Sequence, residues 1–176
     1  DLWRNPRFAR MFTLPAQYIL PGGKLPRFGD DVNTSAVRAF EMEAAYRALR
    51  EPALLAVLPA TPTFHSIQFG RPTDGAATAA PLASTVFPSA GHAILRTGDP
   101  AGLVSVLTFG PFGGFHGHFD KLSFVLYAHG QELGVDPGRA ASQAYRLAIH
   151  GNWYRATLSH NTVVVDRTSQ QGAAGE

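Results

Sequence analysis

The sequence has 176 residues, enough for about one domain or parts of two. Hydrophobic residues make up 45% and charged residues 16%, which favours a packed core and excludes general disorder. The formal net charge of +2 and the lack of a Lys/Arg run give no sign of a nucleic-acid surface, and the absence of cysteine excludes disulfides and thiolate metal sites. No apolar run is long enough to span a bilayer, and the first residues do not resemble a signal peptide.

The N-terminal third is predicted to be mainly helical. Asn5 followed by Pro6 is typical of a helix N-cap and first turn. Between 37 and 49 apolar residues recur at three- and four-residue steps, which predicts a second helix with one buried face. Pro52 ends this helix, because proline lacks the amide proton that a helix interior needs.

The middle of the chain changes character. Residues 59–88 are rich in Pro, Thr, Ala and Gly, which predicts a connection with a short strand at 64–69. Short β-branched and aromatic runs follow, and we interpret them as strands at 93–96, 103–109, 122–127, 131–135 and 162–166. The sequence Ala-His-Gly-Gln at 128–131 predicts a hairpin turn. The second half is therefore predicted to be a β domain.

Two histidines with one residue between them, His116 and His118, are the strongest chemical signal in the sequence. Alternate residues of a strand face the same side, so an extended 115–120 segment would point both imidazoles and Asp120 into one cleft. Phe115, Gly117 and Phe119 would then lie on the other face of this strand.

Three separated residues, His118, Asp136 and His160, are candidate zinc ligands. Zinc is commonly bound by neutral imidazole nitrogens and carboxylate oxygens, and two histidines with one aspartate leave a position open. Asp120 competes with Asp136 for the carboxylate role, although its proximity to His118 also suits a partner that sets the tautomer of that ring. Asp136 precedes Pro-Gly, so a simple turn role is the alternative.

Three separated motifs carry a family resemblance. They are His-Gly-His-Phe-Asp-Lys-Leu-Ser-Phe at 116–124, Leu-Gly-Val-Asp-Pro-Gly-Arg at 133–139 and the segment 154–166 around Ser-His-Asn-Thr. In this order they resemble the C-terminal β-sandwich domain of heparinase II/III-like polysaccharide lyases. The segment Leu-Pro-Arg-Phe-Gly-Asp at 25–30 is similar to the end of the α/α-toroid domain that precedes this sandwich.

The resemblance implies an α+β multidomain fragment, in which the C-terminal part of a helical α/α toroid is followed by an antiparallel β-sandwich. Residues 1–58 would be the end of the toroid, 59–88 the connection and 89–176 part of the sandwich. We therefore expect further residues upstream of this chain in the complete protein, including a toroid tyrosine and an asparagine or histidine of the catalytic cleft. A bacterial protein that is periplasmic or secreted is also implied.

The activity implied by the resemblance is β-elimination on a uronic-acid polysaccharide such as heparin, heparan sulfate or alginate. His118, Asp136 and His160 then match the Zn²⁺ ligands, and His116 matches a histidine of the catalytic cleft. This reaction removes an acidic proton and protonates a departing oxygen, so it requires an acid and a base facing one sugar.

Two further residues are weaker candidates. Tyr145 is a candidate catalytic tyrosine, with a structural role as the alternative. Arg139 is a candidate for binding a substrate carboxylate or sulfate, with a solvated role as the alternative. The anionic polysaccharide is the expected partner, and the oligomeric state, including a homo-oligomer, is left open. The alternative to a lyase is a non-catalytic, zinc-stabilised carbohydrate-binding β-sandwich.

Overall fold

The computed structural model describes residues 1–31, 37–72, 81–99, 102–140 and 146–173. The chain divides into two compact units, of which the first comprises Asp1–Leu25 and Ala36–Leu82 and the second comprises Pro26–Ser35 and Ala83–Glu176. The sequence-based division placed residues 26–30 with the helices, whereas the structure groups them with the strands. Asp30, whose carboxylate contacts His116 and His118 of the second unit, lies in that segment.

The first unit is helical, with α1 at Pro6–Tyr18, α2 at Ala39–Leu49 and α3 at Phe64–Phe69. Asn5 caps α1 as predicted, since its side chain accepts a hydrogen bond from the Arg7 amide at 3.0 Å. Helix α2 ends before Pro52, and a 3₁₀ turn at Pro52–Ala56 follows it. None of the helices within the described ranges is long and apolar enough to cross a bilayer.

The strand predicted at 64–69 is wrong, because this segment is α3. A capping box begins the helix: the Ser66 amide donates to Thr63 Oγ1 at 3.1 Å, and the Thr63 amide donates to Ser66 Oγ at 2.8 Å. Gly70 ends it in the left-handed conformation. The Thr-x-x-Ser signal lacks the usual Glu or Gln at its last position, so the sequence pattern was missed.

The first unit contains an apolar core and a buried ion pair. That core is formed by Ala16, Met42, Ala45, Leu54 and Leu58. Glu43 on α2 is fully buried, and Arg71 donates from Nε and Nη2 to its carboxylate at 2.8 to 3.0 Å. Arg71 Nη2 also donates to the Pro59 carbonyl at 2.8 Å. The buried charges are therefore both paired and hydrogen-bonded.

The second unit contains a five-stranded antiparallel sheet in which sequential strands are neighbours. The strands are β1 at Thr85–Phe87, β2 at His92–Arg96, β3 at Val104–Thr108, β4 at Ser123–Ala128 and β5 at Gln131–Gly134. Four predicted strands are thus confirmed as β2 to β5, and His129 and Gly130 form the predicted hairpin turn with positive φ angles. Buried hydrophobic residues of the sheet are Ile94, Val104, Val106, Val125, Tyr127 and Ala128.

The fifth predicted strand, at 162–166, is wrong. Its only pairing among the described residues is a single bridge between Val165 and Thr168, across a turn in which Asp166 and Arg167 have positive φ angles. Val163 and Val165 are largely exposed. β-Branched residues favour a strand only where a neighbouring strand pairs with them, so composition alone overestimated this segment.

We predict that Arg71→Met destabilises the protein by about 3 to 5 kcal/mol, because it leaves the buried Glu43 carboxylate without its partner. Arg38→Met is the matched control, since it breaks the exposed Arg38–Glu41 pair at 3.5 Å and is expected to cost less than about 1 kcal/mol. Urea denaturation of both variants measures the difference. An equal decrease in the free energy of unfolding in both variants would show that the buried pair contributes no more to stability than the exposed pair.

Beside the sheet, the ring of His92 on β2 stacks on Phe28 with centroids 4.0 Å apart and planes 6° from parallel. Burial, followed by the nearby Lys121 charge, lowers the pKa of His92 from 6.5 to about 4. The folded protein therefore holds this ring neutral over a pH range in which the unfolded chain protonates it.

We predict that this difference reduces stability as the pH falls from about 6.5 to about 4, because the unfolded state then binds the extra proton. His92→Phe keeps a ring for stacking and removes the titration. The melting temperature of His92→Phe relative to wild type is expected to be higher at pH 4 than at pH 7. An offset that is the same at both pH values would contradict this.

Candidate metal and active site

Three buried side chains converge in the second unit. His118, Asp136 and His160 each offer one ligand atom, and these atoms all lie within 4.8 Å of one another. Their residues are 1%, 5% and 6% exposed, respectively. The structure therefore brings together the three residues that the sequence singled out as a metal set.

The β4–β5 hairpin places two of these residues side by side. His118 precedes β4 and Asp136 follows β5, and in an antiparallel pair the start of one strand lies beside the end of the next. Asn161 links the segment of the third residue, His160, to this hairpin. Its side-chain amide donates to the carbonyl of Phe124 in β4 at 2.9 Å and to the carbonyl of Val135, just before Asp136, at 3.0 Å. The sequence pattern did not indicate this role of Asn161.

Both ring nitrogens of His160 have partners. Nε2 lies 3.1 Å from the Tyr154 carbonyl oxygen, which can only accept, so Nε2 carries the proton. Nδ1 lies 3.0 Å from Asp136 Oδ2. The other oxygen of Asp136 accepts a hydrogen bond from the Gly138 amide at 2.7 Å. In the neutral ring, the lone pair on Nδ1 therefore faces a carboxylate oxygen, and neither atom can donate a hydrogen bond to the other. A cation bound by both atoms would remove this unfavourable contact.

His118 shows the same pattern with a different partner. Its Nε2 lies 2.9 Å from Asp30 Oδ1, and its Nδ1 is buried and has no hydrogen-bond partner within the described part of the chain. Burial lowers the pKa of His118 below 6.5, although the hydrogen bond to Asp30 opposes that shift. The ring is therefore neutral near pH 7, which is the form that binds metals.

His116 is 73% exposed at its side chain, in contrast to the buried His118, yet its Nδ1 lies 2.9 Å from Asp30 Oδ2. The two histidines of the His-x-His motif therefore share one carboxylate. Burial would raise the pKa of Asp30, but the hydrogen bonds to His118 and His116 outweigh it, so its pKa lies below 3.8 and the group is ionised.

The extended conformation expected for 115–120 is wrong. Gly114–His116 is a 3₁₀ turn that begins with Gly114 at φ +64°, and residues 117–120 form no strand. Asp120 is also not the partner of His118; it lies 3.7 Å from Lys121 Nζ, and Asp30 takes its expected place. The glycines around His116 let the chain turn, and alternation along a strand cannot be assumed in such a segment.

Two predicted residues have no assigned catalytic contact. Arg139 is partly buried, and its Nε donates to the backbone carbonyl of Asp30 at 3.0 Å, so it supports the backbone there; its contact with substrate stays a prediction. Tyr145 lies outside the described residues. Asp30 was not predicted as a site residue. In the sequence it is only the last position of the Leu-Pro-Arg-Phe-Gly-Asp motif, which does not indicate a contact with His118.

His150 completes the cluster. It is 7% exposed, its Nε2 lies 3.4 Å from Asp30 Oδ1, and its ring packs edge-on against His118 with centroids 6.0 Å apart. Its Nδ1 is buried without a partner in the described ranges. In the sequence, His150 lies in a loop between the segments that carry Asp136 and His160, which makes it a candidate for lining the cleft.

Known proteins are similar to this chain in sequence, over parts of its length, and in fold. It is 39% identical over 61 residues to an exo-oligoalginate lyase of Saccharophagus degradans, covering 31% of this chain and 8% of that protein. It is 38% identical over 86 residues to an alginate lyase of Stenotrophomonas maltophilia, covering 45% of this chain and 12% of that protein. The solved heparan sulfate lyase of Pedobacter heparinus matches with a TM-score of 0.67 and 22% identity, covering 95% of this chain and 25% of that chain.

The chain thus spans about a tenth of the curated relatives and a quarter of the solved structure. At 22% identity the structural match shows the fold alone. The family comparison reaches further, because the domain described as "Heparinase II/III-like, C-terminal" matches residues 79–176, which include the β-sheet, the ligand triad and His116. The chain belongs to the heparinase II/III-like family.

Proposed function

We propose that the protein containing this chain is a polysaccharide lyase that cleaves a uronic-acid polysaccharide by β-elimination. The observation that carries this proposal is the exposed His116 close to the buried cluster of His118, Asp136 and His160. His116 supplies a proton-transfer group, and the cluster is a candidate metal centre. The relatives named as alginate lyases support this chemistry and make alginate the first polymer to test.

Zn²⁺ fits the donor set. Two imidazole nitrogens and one carboxylate oxygen are ligands that zinc accepts, and each histidine has an acceptor at its other nitrogen, as ligating histidines usually do. The unpartnered Nδ1 of His118 and the lone pair of His160 Nδ1 facing Asp136 both favour a cation. Bound zinc would supply positive charge that holds the ligand loops together.

The proposed chemistry assigns His116 to proton transfer. In β-elimination a base removes the proton at C5 of the uronate, a C4–C5 double bond forms, and the bond to the leaving oxygen at C4 breaks with protonation of that oxygen. The exposed ring of His116 is accessible to a sugar, and an imidazole can serve as either the acid or the base. Arg139 and Tyr145 are proposed only as auxiliary groups, for anion binding and proton transfer.

The same proposal places the chain within a larger protein. Residues 1–58 would be the end of an α/α toroid, and the five-stranded sheet would be part of a β-sandwich, of which one sheet is present in the described residues. The toroid would add the other side of the sugar-binding cleft. A periplasmic or secreted location would suit a polymeric substrate.

We predict that the protein binds about one zinc ion, and that His118→Ala and His160→Ala weaken zinc binding by about 100-fold or more, because each removes a ligand. Elemental analysis after dialysis and competition with a coloured chelator measure this. His129→Asn, which changes an exposed histidine in the β4–β5 turn, is the matched control and is expected to retain zinc. Wild-type zinc content in His118→Ala would refute the ligand assignment.

We predict that the full-length protein converts a uronate polymer into products with unsaturated ends that absorb ultraviolet light. His116→Ala is expected to lower kcat by about 100-fold or more and to leave the zinc content unchanged, because the residue transfers protons and is not a ligand. Absorbance assays on alginate, heparin and heparan sulfate test this. Polymer binding without cleavage of any of these would favour the non-catalytic carbohydrate-binding alternative.

A further inference from the structure

One carboxylate contacts three imidazoles at the centre of the site. Asp30 is 6% exposed at its side chain, and its Oδ1 and Oδ2 each lie 2.9 Å from a ring nitrogen, of His118 and His116 respectively. Oδ1 also has His150 Nε2 at 3.4 Å. Neither the ligand triad nor the proton-transfer role of His116 accounts for this buried charge.

The contacts determine which nitrogen of each ring carries the proton. An ionised carboxylate can only accept hydrogen bonds, so His118 Nε2 and His116 Nδ1 must both donate to Asp30. The lone pair of His118 is then on its buried Nδ1, within the ligand triad. The lone pair of His116 is on Nε2, the nitrogen left available for proton transfer.

The backbone around Asp30 is held in place by the segments that carry these histidines and Asp136. Gly29 has φ +54°, and a Cβ there would collide with the His116 carbonyl oxygen, so the two segments approach more closely than another residue allows. The Asp30 amide donates to the His116 carbonyl at 3.1 Å. Arg139 donates to the Asp30 carbonyl, and Arg27 donates to the carbonyl of Asp136 at 3.3 Å.

We propose that Asp30 is the positioning residue of this site, and that it simultaneously sets the tautomer of His118 for metal binding and the tautomer of His116 for proton transfer. The half that concerns His116 rests on the proposed lyase function, whereas the half that concerns His118 requires only metal binding. Asp30 thereby couples the buried metal site to the exposed catalytic ring through one side chain.

Asp30→Asn is the decisive substitution, because it keeps the shape of the side chain and replaces one acceptor oxygen by a donating amide. Such a group cannot accept from both rings, so at least one imidazole must change tautomer or lose its hydrogen bond. Asp99→Asn is the matched control: it alters an exposed aspartate in the β2–β3 turn, which hydrogen-bonds Thr97.

The first measurement is zinc affinity of the full-length protein, by competition with a chelator. Asp30→Asn is expected to weaken zinc binding by about 10- to 100-fold, the usual effect of losing a partner of a ligating histidine, while Asp99→Asn stays within about twofold of wild type. Unchanged affinity in Asp30→Asn, or an equal loss in Asp99→Asn, would overturn the proposal for His118.

The second measurement is the tautomer itself, read from ¹⁵N chemical shifts of protein labelled at histidine and assigned with single-histidine variants. In zinc-loaded wild type we expect Nε2 protonated on His118 and Nδ1 protonated on His116. Because this measurement uses the wild-type protein, it can overturn the proposal even where Asp30→Asn fails to fold. The opposite tautomer on either ring would overturn the proposal for that ring.

The third measurement is turnover at saturating zinc, so that weaker metal binding does not contribute. Asp30→Asn is expected to lower kcat by about 100-fold or more with KM changed by less than about threefold, because His116 loses the acceptor that fixes which of its nitrogens is available for proton transfer, and the sugar still binds. A wild-type protein without lyase activity would refute the proposed function and leave the zinc and ¹⁵N results for Asp30 standing. Wild-type kcat in an active Asp30→Asn enzyme would refute the coupling to His116.

Discussion

The site depends on the hydrogen bonds that Asp30 accepts from two histidines. An isolated carboxylate in the protein interior is strongly disfavoured, and it stays ionised only where donors surround it. His116 and His118 supply those donors at 2.9 Å, which is why the pKa of Asp30 lies below its ordinary value despite burial. The same contacts fix which nitrogen of each ring carries the proton. The charge of Asp30 therefore also determines which nitrogen of each histidine can bind a metal or transfer a proton.

His116 and His118 both contact Asp30, but they differ in solvent exposure. The side chain of His116 is 73% exposed and that of His118 is 0% exposed, although the two residues are only two positions apart. The 3₁₀ turn at Gly114–His116 ends before His118, and residues 117–120 form no strand, so the two side chains lie in different surroundings although both rings contact Asp30. One ring can therefore face a substrate while the other faces the buried triad.

The sheet provides the framework for this arrangement. Loops carry the ligands, and the antiparallel β4–β5 hairpin brings the loop before β4 beside the loop after β5. Asn161 then joins the third ligand segment to the same hairpin through two hydrogen bonds to backbone carbonyls. Residues on a rigid scaffold can hold a fixed donor geometry, so the apolar packing of the sheet and the polar chemistry of the site are linked.

The local sequence determined much of this protein. Asn5 with Pro6 marked a helix start, β-branched runs marked four of the five strands, and the identities of His118, Asp136 and His160 marked a set of metal donors, because each of these signals is carried by neighbouring residues or by side-chain chemistry. The helix at Phe64–Phe69 and the turn after Val165 were missed, since short segments take their conformation from caps and from partners. Asp30 was decided only by the tertiary structure: it lies 88 residues from His118 in sequence, and no local pattern reports which carboxylate folding will place 2.9 Å from that ring.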